Sequence, residues 1–252
     1  MTVQSTSKQC SMRIFEETAS SRLGIHLESL HLRRGTHIVF DGIDLQLAEA
    51  RIGLIGDNGA GKSSLLRLIS GLETPQSGSL RVCGQGMGDA PAPGWLGMMF
   101  QNPDEQIIFP TVCEELALGL TATGMSRRVA DAHVKAWLVA RGRGDWVGRA
   151  IGSLSQGQRQ QVCWLALLIA APRMLLLDEP FSSLDLPGQA LLSREIAHAP
   201  QQIILSTHQL DHVRDFERVV WLHAGRVRAS GLGRLVCAAY EADVAERLTA
   251  TG

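Results

Sequence analysis

The segment from Gly56 to Ser63 reads GDNGAGKS and matches the spacing G-x-x-x-x-G-K-[ST] in full. Glycines at 56, 59 and 61 let the backbone curl until several N–H groups face one anion. Gly56, Asp57, Asn58, Gly59, Ala60, Gly61, Lys62, Ser63 and Ser64 are therefore expected to line a nucleotide phosphate site. Lys62 is expected to reach the β- and γ-phosphates, and Ser63 to hold Mg²⁺. Far downstream, Met174 to Pro180 reads MLLLDEP. Here an apolar strand delivers two carboxylates to its C-terminal edge, where open α/β sheets bind ligands. Asp178 is expected to anchor the Mg²⁺ shell. Glu179 is expected to orient or deprotonate the attacking water. A chance glycine-rich turn, or an acidic strand end in solvent, explains either pattern alone. Their order along one chain favours the joint reading.

Leu154 to Gln158 reads LSQGQ and opens a helical run that ends at Pro172. Ser155, Gly157 and the uncapped N–H groups of that helix make a second anion site. One chain does not need two γ-phosphate sites, but two chains packed head-to-tail do. The plain alternative is a serine-capped helix start.

These groups need elements to hold them. Residues 24–32 and 40–47 alternate apolar and polar, as strands do. Residues 51–55, 80–83, 96–100, 174–177 and 203–206 are further short strands. The wholly apolar ones suit a parallel sheet covered on both faces. Residues 65–72 continue the phosphate loop as a helix, 112–140 are helical throughout, and 156–171 form another helix. Residues 219–222 and 226–229 close a hairpin around Ala224-Gly225.

The 252 residues suffice for one α/β domain with a smaller subdomain. A formal net charge of -1 does not suggest a nucleic-acid-binding surface, so nucleic acid is not an expected partner. The longest apolar run, Val162 to Ala171, is too short to span a bilayer and suits a buried helix. Residues 1–22 read as a flexible tail without a secretory signal. Cys10, Cys83, Cys113, Cys163 and Cys237 form no CxxC pair and read as scattered reduced thiols. His208 and His212 have the i,i+4 spacing of a helical metal pair, but no third ligand is evident.

The order GDNGAGKS, Gln101, LSQGQ, LLLDEP, SSLD and His208 resembles the nucleotide-binding subunit of ABC transporters over roughly residues 24–229. The family has glycine where this chain has Gln156. The resemblance implies an α/β fold: a P-loop NTPase core over 23–230, a helical signature subdomain at about 103–170, and a short extension over 231–252. It implies ATP and Mg²⁺ as cofactors. Gln101 then begins the loop that joins core to subdomain and contacts Mg²⁺ and the γ-phosphate. His208 is the switch residue on the γ-phosphate, and Asp185 lies at a dimer interface. Ser155, Gln156, Gly157 and Gln158 act in trans. Relatives stack adenine on an aromatic residue near the first strands, and here Arg33 or Arg34 takes that place, since guanidinium also stacks.

The stretch QNPDEQIIFPTVCEELALGL from Gln101 is similar to the energy-coupling factor group, which imports vitamins and transition-metal ions. Within that group it is most similar to ATPases of biotin uptake, with cobalt or nickel importers as the alternative. A soluble ABC protein is a further alternative, although no tandem cassette or coiled-coil insertion is seen. The implied partners are a second ATPase subunit, a transmembrane coupling protein and a substrate-capture membrane protein. The implied location is the cytoplasmic face of the inner membrane. The apolar residues Ile107, Ile108, Phe109, Pro110 and Val112 are expected to form either a groove for a partner helix or part of the subdomain core.

Overall fold

The computed structural model describes residues 24–86 and 94–250. The expected tail, 1–22, lies outside them, as does Cys10. In chain order the first elements are β1 (Ile25–Arg34), β2 (His37–Leu47), β3 (Arg51–Ile55) and α1 (Lys62–Ile69). Then come β4 (Ser77–Val82), β5 (Gln85–Gly86), β6 (Leu96–Met99), α2 (Val112–Ala122), α3 (Arg127–Ala140) and α4 (Gln156–Ala170). The chain continues as β7 (Met174–Asp178), α5 (Leu186–His198), β8 (Gln202–Ser206), β9 (Arg218–His223), β10 (Arg226–Gly231) and α6 (Gly233–Thr249).

The apolar runs become the central sheet. Its order is β10-β9-β3-β8-β7-β6, parallel throughout except for the β9–β10 hairpin. Every residue of β7 is buried, and its side chains alternate between the sheet's two faces. Met174 and Leu176 join one core with α1 and the small antiparallel sheet β2-β1-β4-β5. Leu175 and Leu177 join the other, with Trp164 of α4, Leu192 of α5 and Val236 of α6. A third core is built from α2, α3 and one face of α4, including Val112, Leu116, Val134, Leu138 and Leu165. Thus α4 is buried on two sides, which is why its sequence is apolar nearly all round. Among the described residues no helix is long and apolar enough to cross a membrane.

Several boundaries differ from the sequence expectation. The helical run 112–140 breaks at Gly124, whose φ of 97° no helix permits, and Ser126 restarts it in an extended conformation. α1 ends at Ile69, and Gly71 turns the chain left-handed, so Leu72 is exposed rather than on an apolar helix face. Helices α5 and α6 were not anticipated. The turn at Ala224-Gly225 is as expected, with positive φ at both residues. Arg51 fastens β3 to the far end of α5: its guanidinium donates to the carbonyls of Ile196 (3.0 Å), Gln201 (2.7 Å) and Ala199. A cation on the last carbonyls also opposes the negative helix end.

Candidate functional site

Because β6, β7, β8 and β3 are parallel neighbours, all four end at the same edge. Gly56 follows β3 directly, Asp178 closes β7 with Glu179 next, His208 stands two residues past β8, and Gln101 two past β6. Residues far apart in sequence therefore share one cleft for a topological reason.

A cavity of about 330 Å³ opens there, lined by Asn58, Gly59, Gly61, Lys62, Ser63 and Ser64 of the loop together with Gln101, Glu179, Arg34, His37 and Val39. The loop has no tolerance for side chains at its bend. Gly56 sits at φ 141°, and a Cβ there would lie 2.1 Å from the Leu222 carbonyl oxygen. Gly61 is the N-cap of α1 at φ 100°, and no side chain caps that helix. Its first-turn N–H groups thus remain donors for an anion. Lys62 is only 7% exposed, and its ammonium donates to the carbonyls of Gly56 (2.8 Å) and Asp57 (3.2 Å). Burial pushes its pKa down, and the charges of Glu179, Asp178 and Asp57 act against that shift. A glycine cradle, an uncapped helix start and a buried cation fit a polyphosphate.

The carboxylates are held by β8. Ser206, in register with Asp178 and fully buried, donates its hydroxyl proton to Asp178 Oδ1 at 2.5 Å. Its hydroxyl and carbonyl oxygens both accept from the Glu179 backbone N–H, at 3.3 and 3.1 Å. Glu179 is left-handed at φ 47°, a costly conformation for a residue with a long side chain. Its carboxylate meets His208 Nδ1 at 2.8 Å. Glu179 is 9% exposed, whereas the His208 ring is largely open to solvent.

The remaining expected residues lie elsewhere. Ser155 is the N-cap of α4, where its hydroxyl accepts from the Gln158 N–H at 3.2 Å. The Gln158 side chain accepts in turn from the Ser155 N–H at 3.1 Å, which closes a reciprocal cap. Gly157 packs against the Ser183 carbonyl, where a Cβ would stand 2.9 Å away. Asp185 caps α5 through the Gly188 N–H at 3.0 Å. Ser155, Gln156, Gly157, Gln158 and Asp185 are not on the wall of their own chain's cavity.

Arg34 lines the cavity and is forked onto Glu73 at 2.9 and 2.6 Å; Arg33 does not line it, and its backbone pairs with the Gln76 amide. His37, opposite Arg34 across the hairpin, lines the cavity and is the ring that sequence reasoning overlooked. The helical His208–His212 pair does not exist. His208 precedes a single 3₁₀ turn, and His212 stacks on Phe181 with centroids 3.6 Å apart. No metal-holding group of three His, Cys, Asp or Glu occurs among the described residues. Val112 is fully buried in the helical core and cannot face a partner, whereas Ile108 is 73% exposed. Burial pushes the Cys163 thiol up to about 12 and Cys83 to about 11, which keeps both protonated near neutral pH.

The site's sequence context recurs in other proteins. A family model described as ABC transporter matches residues 40–182. The biotin transport ATP-binding protein BioM of Rhodobacter capsulatus is 46% identical over 209 residues, which is 82% of this chain and 89% of that protein. The energy-coupling factor transporter ATP-binding protein EcfA1 of Bacillus subtilis is 32% identical over 202 residues, 76% of this chain and 71% of that protein. In structure, the chain is similar to cbiO1 of Clostridium perfringens, part of the ABC transporter complex cbiONQ. The TM-score is 0.72 at 24% identity, covering 86% of this chain and 92% of that one, so the two share the fold.

Proposed function

The chain belongs to the ABC transporter family as its ATP-binding, ATP-hydrolysing subunit, and on that premise we propose that it powers an energy-coupling factor importer whose substrate is biotin. The observation that carries the ATPase reading is the meeting of Lys62, Glu179 and Gln101 on one cavity, with His208 bonded to Glu179. The biotin assignment rests on the 46% identity to BioM over most of both chains.

In this reading the loop N–H groups and Lys62 bind the β- and γ-phosphates. Ser63, Gln101 and Asp178 supply hard oxygen donors and would hold Mg²⁺, which would neutralise phosphate charge when bound. Glu179 accepts a proton from the attacking water, and His208 keeps that carboxylate turned toward the cavity. Arg34, with His37 opposite it, flanks the adenine. Ser155, Gln156, Gly157 and Gln158 of a second subunit close over the γ-phosphate, and Asp185 lies at that subunit contact. Two subunits thereby enclose two nucleotides. The residues around Ile108 meet a transmembrane coupling protein on the cytoplasmic face of the inner membrane, and a separate membrane protein captures the vitamin.

The test has two readouts. The purified chain is expected to hydrolyse ATP. Deletion of its gene is expected to reduce high-affinity biotin uptake in cells unable to make biotin. Unchanged biotin uptake with impaired cobalt or nickel uptake would overturn the substrate but not the ATPase. Hydrolysis with no membrane partner on co-purification would make it a soluble ABC protein.

A further inference from the structure

Asp57 is the second residue of the phosphate loop, and its side chain is held from outside the loop. Tyr240 Oη donates to Asp57 Oδ1 at 2.8 Å. The Arg247 guanidinium donates to Oδ2 at 2.8 Å and to Oδ1 at 3.3 Å. His223 Nδ1 stands 3.7 Å from Oδ2. Tyr240 and Arg247 are two helical turns apart, so they share one face of α6. The Tyr240 ring packs edge-on against Trp221 of β9 at 5.3 Å, and Arg247 also pairs with Asp243 at 2.9 Å. The hydroxyl and the guanidinium therefore approach Asp57 from an anchored helix.

This arrangement answers a charge problem. A carboxylate on a phosphate-binding loop repels the ligand and competes for the lysine, and the Asp57 charge acts on Lys62. Here one full cation and one hydroxyl take up that charge. The backbone carbonyl of the same Asp57 accepts from Lys62 Nζ at 3.2 Å. Any shift of Asp57 consequently moves a group that fixes the lysine. Within the described residues Asp57 is thus the joint between the C-terminal helix and the cradle.

We propose that Tyr240 and Arg247 are positioning residues for the phosphate-binding loop: they hold Asp57 and offset its charge, and so set the affinity for the nucleotide's phosphates without touching them. The inference rests on the reading of the cavity as an ATP site.

The experiment measures Mg-ATP affinity by calorimetry, and KM and kcat by phosphate release, on the full chain. Arg247→Ala is expected to weaken ATP affinity about five- to tenfold, the scale of one uncompensated charge beside a polyanion at a partly exposed site. kcat at saturating ATP is expected to change less than about twofold, because no group that meets the reacting atoms has moved far. Arg247→Lys restores most of the affinity, since a charge remains. Tyr240→Phe keeps the ring on Trp221 and weakens affinity about threefold, the size of one hydrogen bond.

The deciding comparison repeats Arg247→Ala in an Asp57→Asn background, where the loss is expected to shrink below about twofold. An equal loss in both backgrounds overturns the inference, as does unchanged affinity in Arg247→Ala with the thermal midpoint retained. Should Arg247→Ala fail to fold, Arg247→Lys and Tyr240→Phe carry the same comparison across the two backgrounds. A wild-type chain that binds no ATP overturns the nucleotide reading together with the clamp, whereas tight wild-type binding without coupling to Asp57 overturns the clamp alone.

Discussion

Glu179→Gln separates the chemistry at this site from its architecture. The variant changes one oxygen for an amide nitrogen and leaves the backbone at φ 47°. The amide oxygen can still accept from His208 Nδ1, which now lies 2.8 Å from the carboxylate. The Glu179 N–H keeps its bonds to Ser206. The folding cost is therefore that of one weakened charge-assisted hydrogen bond, about 1 kcal/mol. What disappears is the proton acceptor, and general-base positioning contributes roughly 10²–10⁴-fold. That equals about 2.7–5.4 kcal/mol of barrier at 1.36 kcal/mol per tenfold. Hydrolysis should fall by that factor while ATP affinity changes little, and the protein should accumulate as an ATP-bound dimer. Single-turnover phosphate release reads the rate, and size-exclusion chromatography with Mg-ATP reads the dimer. Turnover within about tenfold of wild type would remove Glu179 from the role of base. An equal loss of binding and hydrolysis would mean that its carboxylate is structural.

Gly56→Ala should abolish ATP binding and destabilise the chain by about 2–4 kcal/mol, because a Cβ 2.1 Å from the Leu222 carbonyl forces strand movement at a glycine-only φ; urea unfolding and calorimetry check it. Ile108→Asp should leave the isolated ATPase and its melting point unchanged and weaken pull-down of the membrane partner, whereas Val112→Asp, fully buried, should unfold α2 and the helices around it. The Asp57 carboxyl is held below its ordinary range, first by the Arg247 hydrogen bond and then by Tyr240. Its contribution to stability is hence complete above the ordinary aspartate pKa and is lost as pH falls through the lowered folded value. Hydrogen exchange of α6 should rise over that acid window in the wild type and show a smaller step in Asp57→Asn, where Glu241, held below its ordinary range by Arg214, still titrates on the same helix.

What the sequence made legible follows from the physics of each element. Buried parallel strands must be apolar on both faces, so Arg51–Ile55, Met174–Asp178 and Gln202–Ser206 announce themselves. The phosphate loop is equally plain, because only glycines fit its bend. Helix α6 escaped notice because its exposed face is rich in alanine and leucine, and few of its residues are buried. The Asp57 clamp joins positions 190 residues apart, and no local pattern encodes such a pair. The His208–His212 spacing carries no information about a paired site, because i,i+4 means proximity only on a helix, and the chain there is a loop with one 3₁₀ turn. Val112 shares its apolar stretch with the exposed Ile108 and the half-buried Ile107 and Phe109, yet α2 turns it inward. Composition alone does not separate a docking loop from the first turn of a buried helix.

Ser155 shows why a capping role and a phosphate role need not compete. Its hydroxyl accepts from the Gln158 N–H, and that leaves its own proton free to donate. A serine N-cap can therefore hold α4 in place within one chain and still offer a donor to the γ-phosphate of another. Asp is as good an N-cap as Ser, within about 0.5 kcal/mol, but it has no proton to donate and adds a negative charge. Ser155→Asp should accordingly keep the helix, the melting point and nucleotide binding by the monomer, all of which depend on groups within the chain. It should lose hydrolysis by about 10²-fold or more, as removal of one preorganised donor does, with charge repulsion added. A mixture of Ser155→Asp with Lys62→Ala chains should recover partial turnover, because a mixed dimer joins one intact cradle to one intact signature helix. If Ser155→Asp hydrolyses ATP at the wild-type rate, the hydroxyl is a cap and nothing more, and the head-to-tail arrangement loses its principal support.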